Sequence, residues 1–202
     1  DPESGYNWIG QAETATDGTY QYGGLTAGDY LVSFNDPNLD YLEEWYDDAA
    51  EAAGATWVTL ADAETREGVD AGLADAGSIG GTITDETSGV PASHVYVQLY
   101  YDYGSWTSEY NSAWSADDGS YLFKGLPPGT YYLRYSDINS PVSFTRFETE
   151  YHLDAIDLDT ATPIVVAHAR ETVDAELTST GTWGSIAGTV TDGVNALPVS
   201  DM

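Results

Sequence analysis

The 202 residues carry 34 acidic and 5 basic side chains, a formal net charge of −29 at pH 7, which sets the chain against nucleic acid and anionic membrane surfaces as partners. Hydrophobic residues still make up 42% and aromatics 13%, too much apolar material for an acidic disordered tail, so the chain is expected to fold. Without cysteine it has no disulfide, thiolate zinc site or cysteine nucleophile, and no stretch approaches the roughly 20 apolar residues of a membrane span.

The sequence opens on Asp1-Pro2 with no charged-then-apolar leader and reads as a window on a longer chain. Asp17-Gly18 supplies the positive φ of a two-residue hairpin. From Asn35 or Asp36 as a cap, with Pro37 in the first turn, Leu39, Leu42, Tyr46 and Ala49 fall at helical spacing. The matching stretch of the second half, Ser143 to Asp154, is richer in Phe and Thr, which counts against that helix. Downstream, β-rich runs cover Ile79 to Thr84, His94 to Tyr100, Glu109 to Ser115, Ser120 to Lys124, Thr130 to Tyr135, Phe144 to Tyr151, Pro163 to Ala167 and Thr172 to Leu177, between Gly, Pro, Asp and Ser clusters. Val95, Val97 and Leu99 alternate with Tyr96, Gln98 and Tyr100, the pattern of a half-buried strand. Asp118-Gly119 marks a second hairpin, and Pro127-Pro128-Gly129 a bend after Leu126, whose side chain is expected to plug one end of the core.

The chain repeats itself. Asp17-Gly18-Thr19-Tyr20 through Gly28-Asp29-Tyr30 returns 101 residues later as Asp118-Gly119-Ser120-Tyr121 through Gly129-Thr130-Tyr131. Ser78-Ile79-Gly80-Gly81-Thr82-Ile83-Thr84-Asp85 returns as Ser185-Ile186-Ala187-Gly188-Thr189-Val190-Thr191-Asp192, and Val69-Asp70-Ala71-Gly72-Leu73 as Val173-Asp174-Ala175-Glu176-Leu177. Residues 78–184 thus make one whole repeat, 1–77 the back part of another lacking its first strands, and 185–202 the first strand of a third. Seven or so short strands per repeat predict an all-β protein of tandem seven-stranded sandwiches.

Taken together, Gly-Thr-Ile-Thr-Asp (81–85), Pro91 before an alternating strand, Asp-Asp-Gly-Ser-Tyr-Leu-Phe (117–123), Gly-Leu-Pro-Pro-Gly-Thr-Tyr (125–131) and Val-Asp-Ala-Glu-Leu (173–177) resemble carboxypeptidase regulatory-like repeats, which are transthyretin-like sandwiches. The collagen-adhesin B-type repeats are similar in pattern. The resemblance implies a secreted or surface-exposed prokaryotic protein, an adhesin stalk, array or filament, and brings no catalytic residue.

Nothing in the residues themselves points to an enzyme. His94, His152 and His168 lack the spacing of a zinc set, and Gly77-Ser78-Ile79-Gly80 misses the register of a serine nucleophile elbow. Some of the similar adhesin repeats cross-link a lysine to an asparagine or aspartate, but the single lysine, Lys124, is not on the first strand where the resemblance would put it. Asp117, Asp118 and Asp102 offer hard oxygen ligands in turns that would suit calcium; the preferred reading is that Asp118-Gly119 is simply a turn and that the remaining carboxylates form a hydrated surface. Tyr96, Tyr100, Trp106 and Tyr110 crowd one end of the complete repeat as a candidate face for polysaccharide or a protein partner, set against plain packing between repeats. The partners expected first are neighbouring copies or repeats of the same protein. Ile186, Gly188 and Val190 would form either an assembly strand that completes the 1–77 sandwich of the next copy, propagating head to tail, or the first strand of the next repeat in a longer array of which these residues are a window.

Overall fold

The structure, a computed structural model, describes residues 6–137, 145–182 and 189. It divides into two compact units, Asp1–Asn35 with Glu43–Leu73, and Asp36–Leu42 with Ala74–Met202. The assembly strand expected at Ile186, Gly188 and Val190 lies outside the described residues.

The first unit contains β1 (Gly28–Tyr30), β2 (Ser33–Phe34), β3 (Glu44–Trp45) and β4 (Val58–Leu60), with a short 3-10 turn at Ala52–Gly54. β1 pairs antiparallel with β4, Tyr30 opposite Val58, and β2 with β3, Phe34 opposite Glu44. The helix suggested by the spacing from Pro37 to Ala49 does not form. Asp36 instead accepts the N–H groups of Asn38 and Asp40 at 2.9 and 2.8 Å, Leu39 adopts φ 58, and Glu44–Trp45 is extended. Short-range capping by an aspartate diverts these amides from helical bonding, and the apolar positions serve two separate units rather than one face.

The second unit is a β-sandwich of the predicted kind. Its strands are β5 (Gly77–Asp85), β6 (Tyr96–Asp102), β7 (Thr107–Trp114), β8 (Ser120–Leu126), β9 (Gly129–Ser136), β10 (Thr145–Phe147), β11 (Glu150–Tyr151), β12 (Ile164–Val166), β13 (Arg170–Thr172), β14 (Ala175–Leu177) and β15 (Ser179–Thr182). One sheet runs β11-β9-β6-β7 with β12 also on β9; the other sets β8 on one side of β5 and β13 and β14 on the other. β10 pairs with β15. The run expected as one strand at Thr172 to Leu177 is two short strands parallel to β5, broken where Thr82 turns its N–H and hydroxyl to the Asp174 carboxylate at 2.8 and 2.9 Å.

The alternation read from β6 is realised. Val95, Val97 and Leu99 are fully buried with Ile79, Ile83, Leu126, Leu133 and Leu177, and Tyr121, Tyr131 and Tyr135 complete the core. Leu126, just before the bend at Pro127, is fully buried in that core. The central strand β5 can be narrow because it is glycine-rich: a Cβ on Gly81 would stand 2.0 Å from the Val173 carbonyl oxygen, and one on Gly80 2.8 Å from that of Tyr121.

The two Asp-Gly turns share one hydrogen-bond pattern, and it corrects the expected two-residue hairpin. Ala116 N–H donates to Ser120 O and Gly119 N–H to Ala116 O at 2.8 and 2.9 Å, while Ala15 N–H donates to Thr19 O and Gly18 N–H to Ala15 O at the same lengths. Only the glycine is left-handed, at φ 77 and 83, so the loop is one residue longer, a type I turn closed by a glycine bulge.

The first unit repeats one corner of the sandwich residue for residue. Gly28 opposite Leu60 and Tyr30 opposite Val58 reproduce Gly129 opposite Val166 and Tyr131 opposite Ile164. Phe34 opposite Glu44 and Ser33 opposite Trp45 reproduce Tyr135 opposite Glu150 and Arg134 opposite Tyr151. Beyond those strands the pairing is not repeated. Residues 19–25, the counterpart of β8, and 66–73, the counterpart of β13 and β14, form no strand and are largely exposed.

Candidate functional site

β6, β7 and β9 of the second unit present an outward face between aromatic groups. Alternation along β6 sends Tyr96, Gln98 and Tyr100 outward, and the cross-strand register sets Gln98 opposite Arg134 and Ser112, and Tyr100 opposite Tyr132 and Glu109. Arg134 Nη1 donates to Gln98 Oε1, and Gln98 Nε2 donates to Glu109 Oε2 at 2.7 Å, so a charged polar rung crosses the three strands. Tyr100 stands 6.3 Å from the Tyr151 ring, and its hydroxyl is pushed above the usual tyrosine range, first by burial and then by Tyr151. At the other end Tyr96 packs on Trp114 at 4.9 Å and donates to Ser112 Oγ at 2.9 Å.

Trp106 and Tyr110 do not share that face. The register shifts between Leu99 and Tyr100, and the extra residue this inserts into β7, Tyr110, turns to meet Tyr101 and Tyr131, each at 5.9 Å between ring centres. Partial burial, with Tyr103 and Tyr101 adding smaller contributions, raises its hydroxyl above the usual range. Trp106 lies in the loop closing β6 and β7, stacked on Tyr103 at 4.3 Å and 11°. The four aromatics expected as one face therefore fall in three places: Tyr96 with Trp114, Tyr100 with Tyr151, and Trp106 and Tyr110 in a hairpin-end cluster around Tyr101. Sequence spacing could not show this because a β-bulge reverses the facing of every strand residue beyond it. In the cluster Trp106 is 57% and Tyr103 48% exposed.

The proposed calcium ligands are also separated. Asp102 closes the β6–β7 hairpin by accepting the Gly104 N–H at 2.7 Å, whereas Asp117 and Asp118 lie in the turn after the far end of β7. Six or seven extended residues, about 20 Å, separate the two ends. Asp118 accepts the Ser120 N–H at 3.0 Å, and the Ser120 side chain, followed by that N–H, lowers its carboxyl below the usual range. Among the described residues no group of three or more His, Asp or Glu side chains is arranged to hold a metal. His94 occupies a left-handed position at φ 57, and His168 Nδ1 lies 2.7 Å from the Asp75 carbonyl. Lys124 bonds to Asp40 Oδ1 and the Asn38 carbonyl, both at 2.6 Å, on an exposed surface.

A groove of about 550 Å³ that the sequence did not reveal opens beside β5, with Trp114 and Tyr121 on one wall and Arg170, Thr172 and Asp174 on the other. The signal was there in Arg170-Glu171-x-Val173-Asp174, which repeats Arg66-Glu67-x-Val69-Asp70, but nothing in the spacing says that the arginine borders a tryptophan from another strand. Among the described residues no helix is long and apolar enough to cross a membrane.

No family model matches the chain, and no curated protein matches it. Among solved structures it is similar to a DUF3823 family protein from Bacteroides uniformis, at 15% identity over 50% of this chain and 42% of that one, with a TM-score of 0.35. It is also similar to transthyretin from Sparus aurata, at 14% identity over 50% of this chain and 93% of that one, TM-score 0.36. A Streptococcal ancillary pilin aligns at 13% identity over 82% of this chain and 60% of that one, TM-score 0.38. The chain thus spans less than half of the DUF3823 protein, and likenesses of this size carry nothing about binding or catalysis.

Proposed function

We propose that the chain is a structural segment of a surface-exposed protein, in which sandwich repeats succeed one another as a stalk or shaft and contact neighbouring repeats. The observation that carries this reading is the recurrence of one strand register in both units, at β1 and β4 as at β9 and β12, and at β2 and β3 as at β9 and β11. A unit reiterated at that level is suited to building length. The abundance of carboxylates supports an exposed position, since a dense hydrated charge keeps tandem modules soluble and apart. The test is to treat intact producing cells with a protease that cuts at Glu. Release of peptides from residues 78–137 supports the reading; protection until the cells are lysed would count against it.

A second reading is favoured by one specific feature, the exposed Tyr103–Trp106 stack. Parallel rings at 4.3 Å present the flat apolar surface on which a sugar ring can lie, making the module carbohydrate-binding. Glycan binding that falls about tenfold in Trp106→Ala, the loss of one aromatic platform, would establish it. An unchanged array profile, with the variant still folded, would leave the structural role alone.

A further inference from the structure

The outer face of the sheet built on β5 has a trough across its middle. β8, β5 and β13 set Leu122, Gly80 and Thr172 side by side. With no side chain on Gly80, its neighbours lean over it: a Cβ there would stand 2.9 Å from Leu122 Cδ1 and 3.2 Å from Arg170 Nη2. The glycine thus draws a guanidinium in beside a leucine that is 48% exposed. Trp114, 47% exposed, walls the same groove of about 550 Å³, its indole held against Tyr96 at 4.9 Å. That volume is in the range of small-ligand sites.

The two apolar members are peculiar to this repeat. At the 101-residue offset Trp114 stands where the first repeat has Glu13, and Leu122 where it has Gln21, whereas Arg170 and Asp174 match Arg66 and Asp70. A strand position facing solvent ordinarily keeps a polar residue, and core packing does not ask for these two, since both remain exposed. The polar members are ready to bond. Among the described residues Arg170 has no ion pair or hydrogen bond. Asp174 takes both Thr82 bonds on Oδ1, which leaves Oδ2 to accept. Those bonds, the Thr82 N–H first, hold its carboxyl below the usual range and so ionised.

We propose that this groove binds a neutral polysaccharide. A sugar ring presents an apolar C–H face and a rim of hydroxyls that both donate and accept. Trp114 and Leu122 meet the face, while Arg170 donates to the rim, Asp174 accepts from it and the Thr172 hydroxyl does either. Charge decides against other occupants. An anionic chain would gain one arginine but meet the Asp174 carboxylate in the groove and a net −29 around it. A second copy of this chain carries the same −29 and is repelled in the same way. The inference goes beyond the structural role, which needs no ligand, and it is separate from the Tyr103–Trp106 stack, which lies past the opposite end of β7.

The experiment is an NMR titration of the whole chain, following indole and backbone amide signals, with maltotetraose, cellotetraose and mannotetraose as neutral probes and tetragalacturonate as the anionic one. Expected are saturable shifts of the Trp114 indole and the Gly80 and Gly81 amides with at least one neutral probe, and none with tetragalacturonate. Trp114→Glu and the gentler Leu122→Gln put back the residues of the first repeat, and should weaken binding about tenfold and about threefold respectively. Trp106→Ala should leave it unchanged. A groove silent to all three neutral probes would overturn the proposal, as would an affinity unmoved by both groove variants, or binding of tetragalacturonate alone. Shifts confined to the Trp106 indole, and lost in Trp106→Ala, would overturn it in favour of the stack. Movement of the groove signals on concentrating the chain without sugar would overturn it as well, marking the groove as a contact between copies.

Discussion

Glu150 sits 9% exposed on β11, opposite Tyr135, and burial, with Asp154, Glu86 and Glu148 adding negative charge, pushes its carboxyl up to about 7. A group whose folded pKa lies above its unfolded value stabilises fully below the unfolded value, near 4.5, and loses that contribution as pH rises toward 7. The hydrogen-bonded Asp118, Asp157 and Asp174 have the opposite sign, with carboxyls held low and stability lost as pH falls through them. Thermal stability is therefore expected to peak at about pH 4 to 5.5. Glu150→Gln should flatten the decline toward neutrality and raise stability at pH 8 by on the order of 2 kcal/mol, as denaturant melts at several pH values would show. The equivalent residue of the first unit, Glu44, has a buried oxygen with no hydrogen-bond partner among the described residues. At Gly81 the constraint is steric: Gly81→Ala drives a methyl group into the Val173 carbonyl and should cost about 1 to 3 kcal/mol, read from the urea midpoint.

The elements of the sandwich depend on a few cross-strand ties as much as on alternation. Tyr121 and Tyr135 face each other at 3.3 Å between hydroxyls, and Tyr121 also binds the Val173 carbonyl, so β8, β9 and the break between β13 and β14 are tied through one side chain. Tyr121→Phe keeps the ring in the core and removes the tie. It should cost about 1 to 2 kcal/mol in chemical denaturation, most of it from the carbonyl left without its donor. The runs on β5, β6, β8 and β9 were legible because each has one buried face and a period of two. The break at Val173-Asp174 and the bulge at Tyr110 were not, because both answer to a neighbouring strand: the first to the close approach of Gly81, the second to the register with β6.

At the scale of the whole molecule, −29 charges spread over a 202-residue chain repel one another in the folded state more than in the expanded one. Melting temperature is therefore expected to rise with sodium chloride as screening shortens the reach of that repulsion. Calcium at matched ionic strength should give the same melting curve, because the carboxylates at Asp102 and at Asp117 and Asp118 lie at opposite ends of a hairpin. A melt further raised by calcium would show a specific site. The sequence by itself determined the all-β class, the repeat offset, the glycine-marked turns and the inward set Val95, Val97 and Leu99, since local backbone preference and burial on one face of a strand dictate them. Only the tertiary structure decided that residues 36–42 join the second unit, that the aromatics divide among three places, and that Tyr20 ties residues 19–25 to 66–73 through the Val69 carbonyl. Those features depend on which strand lies beside which, and pairing between distant segments is set by the packing of the whole sandwich, which no local window of residues contains.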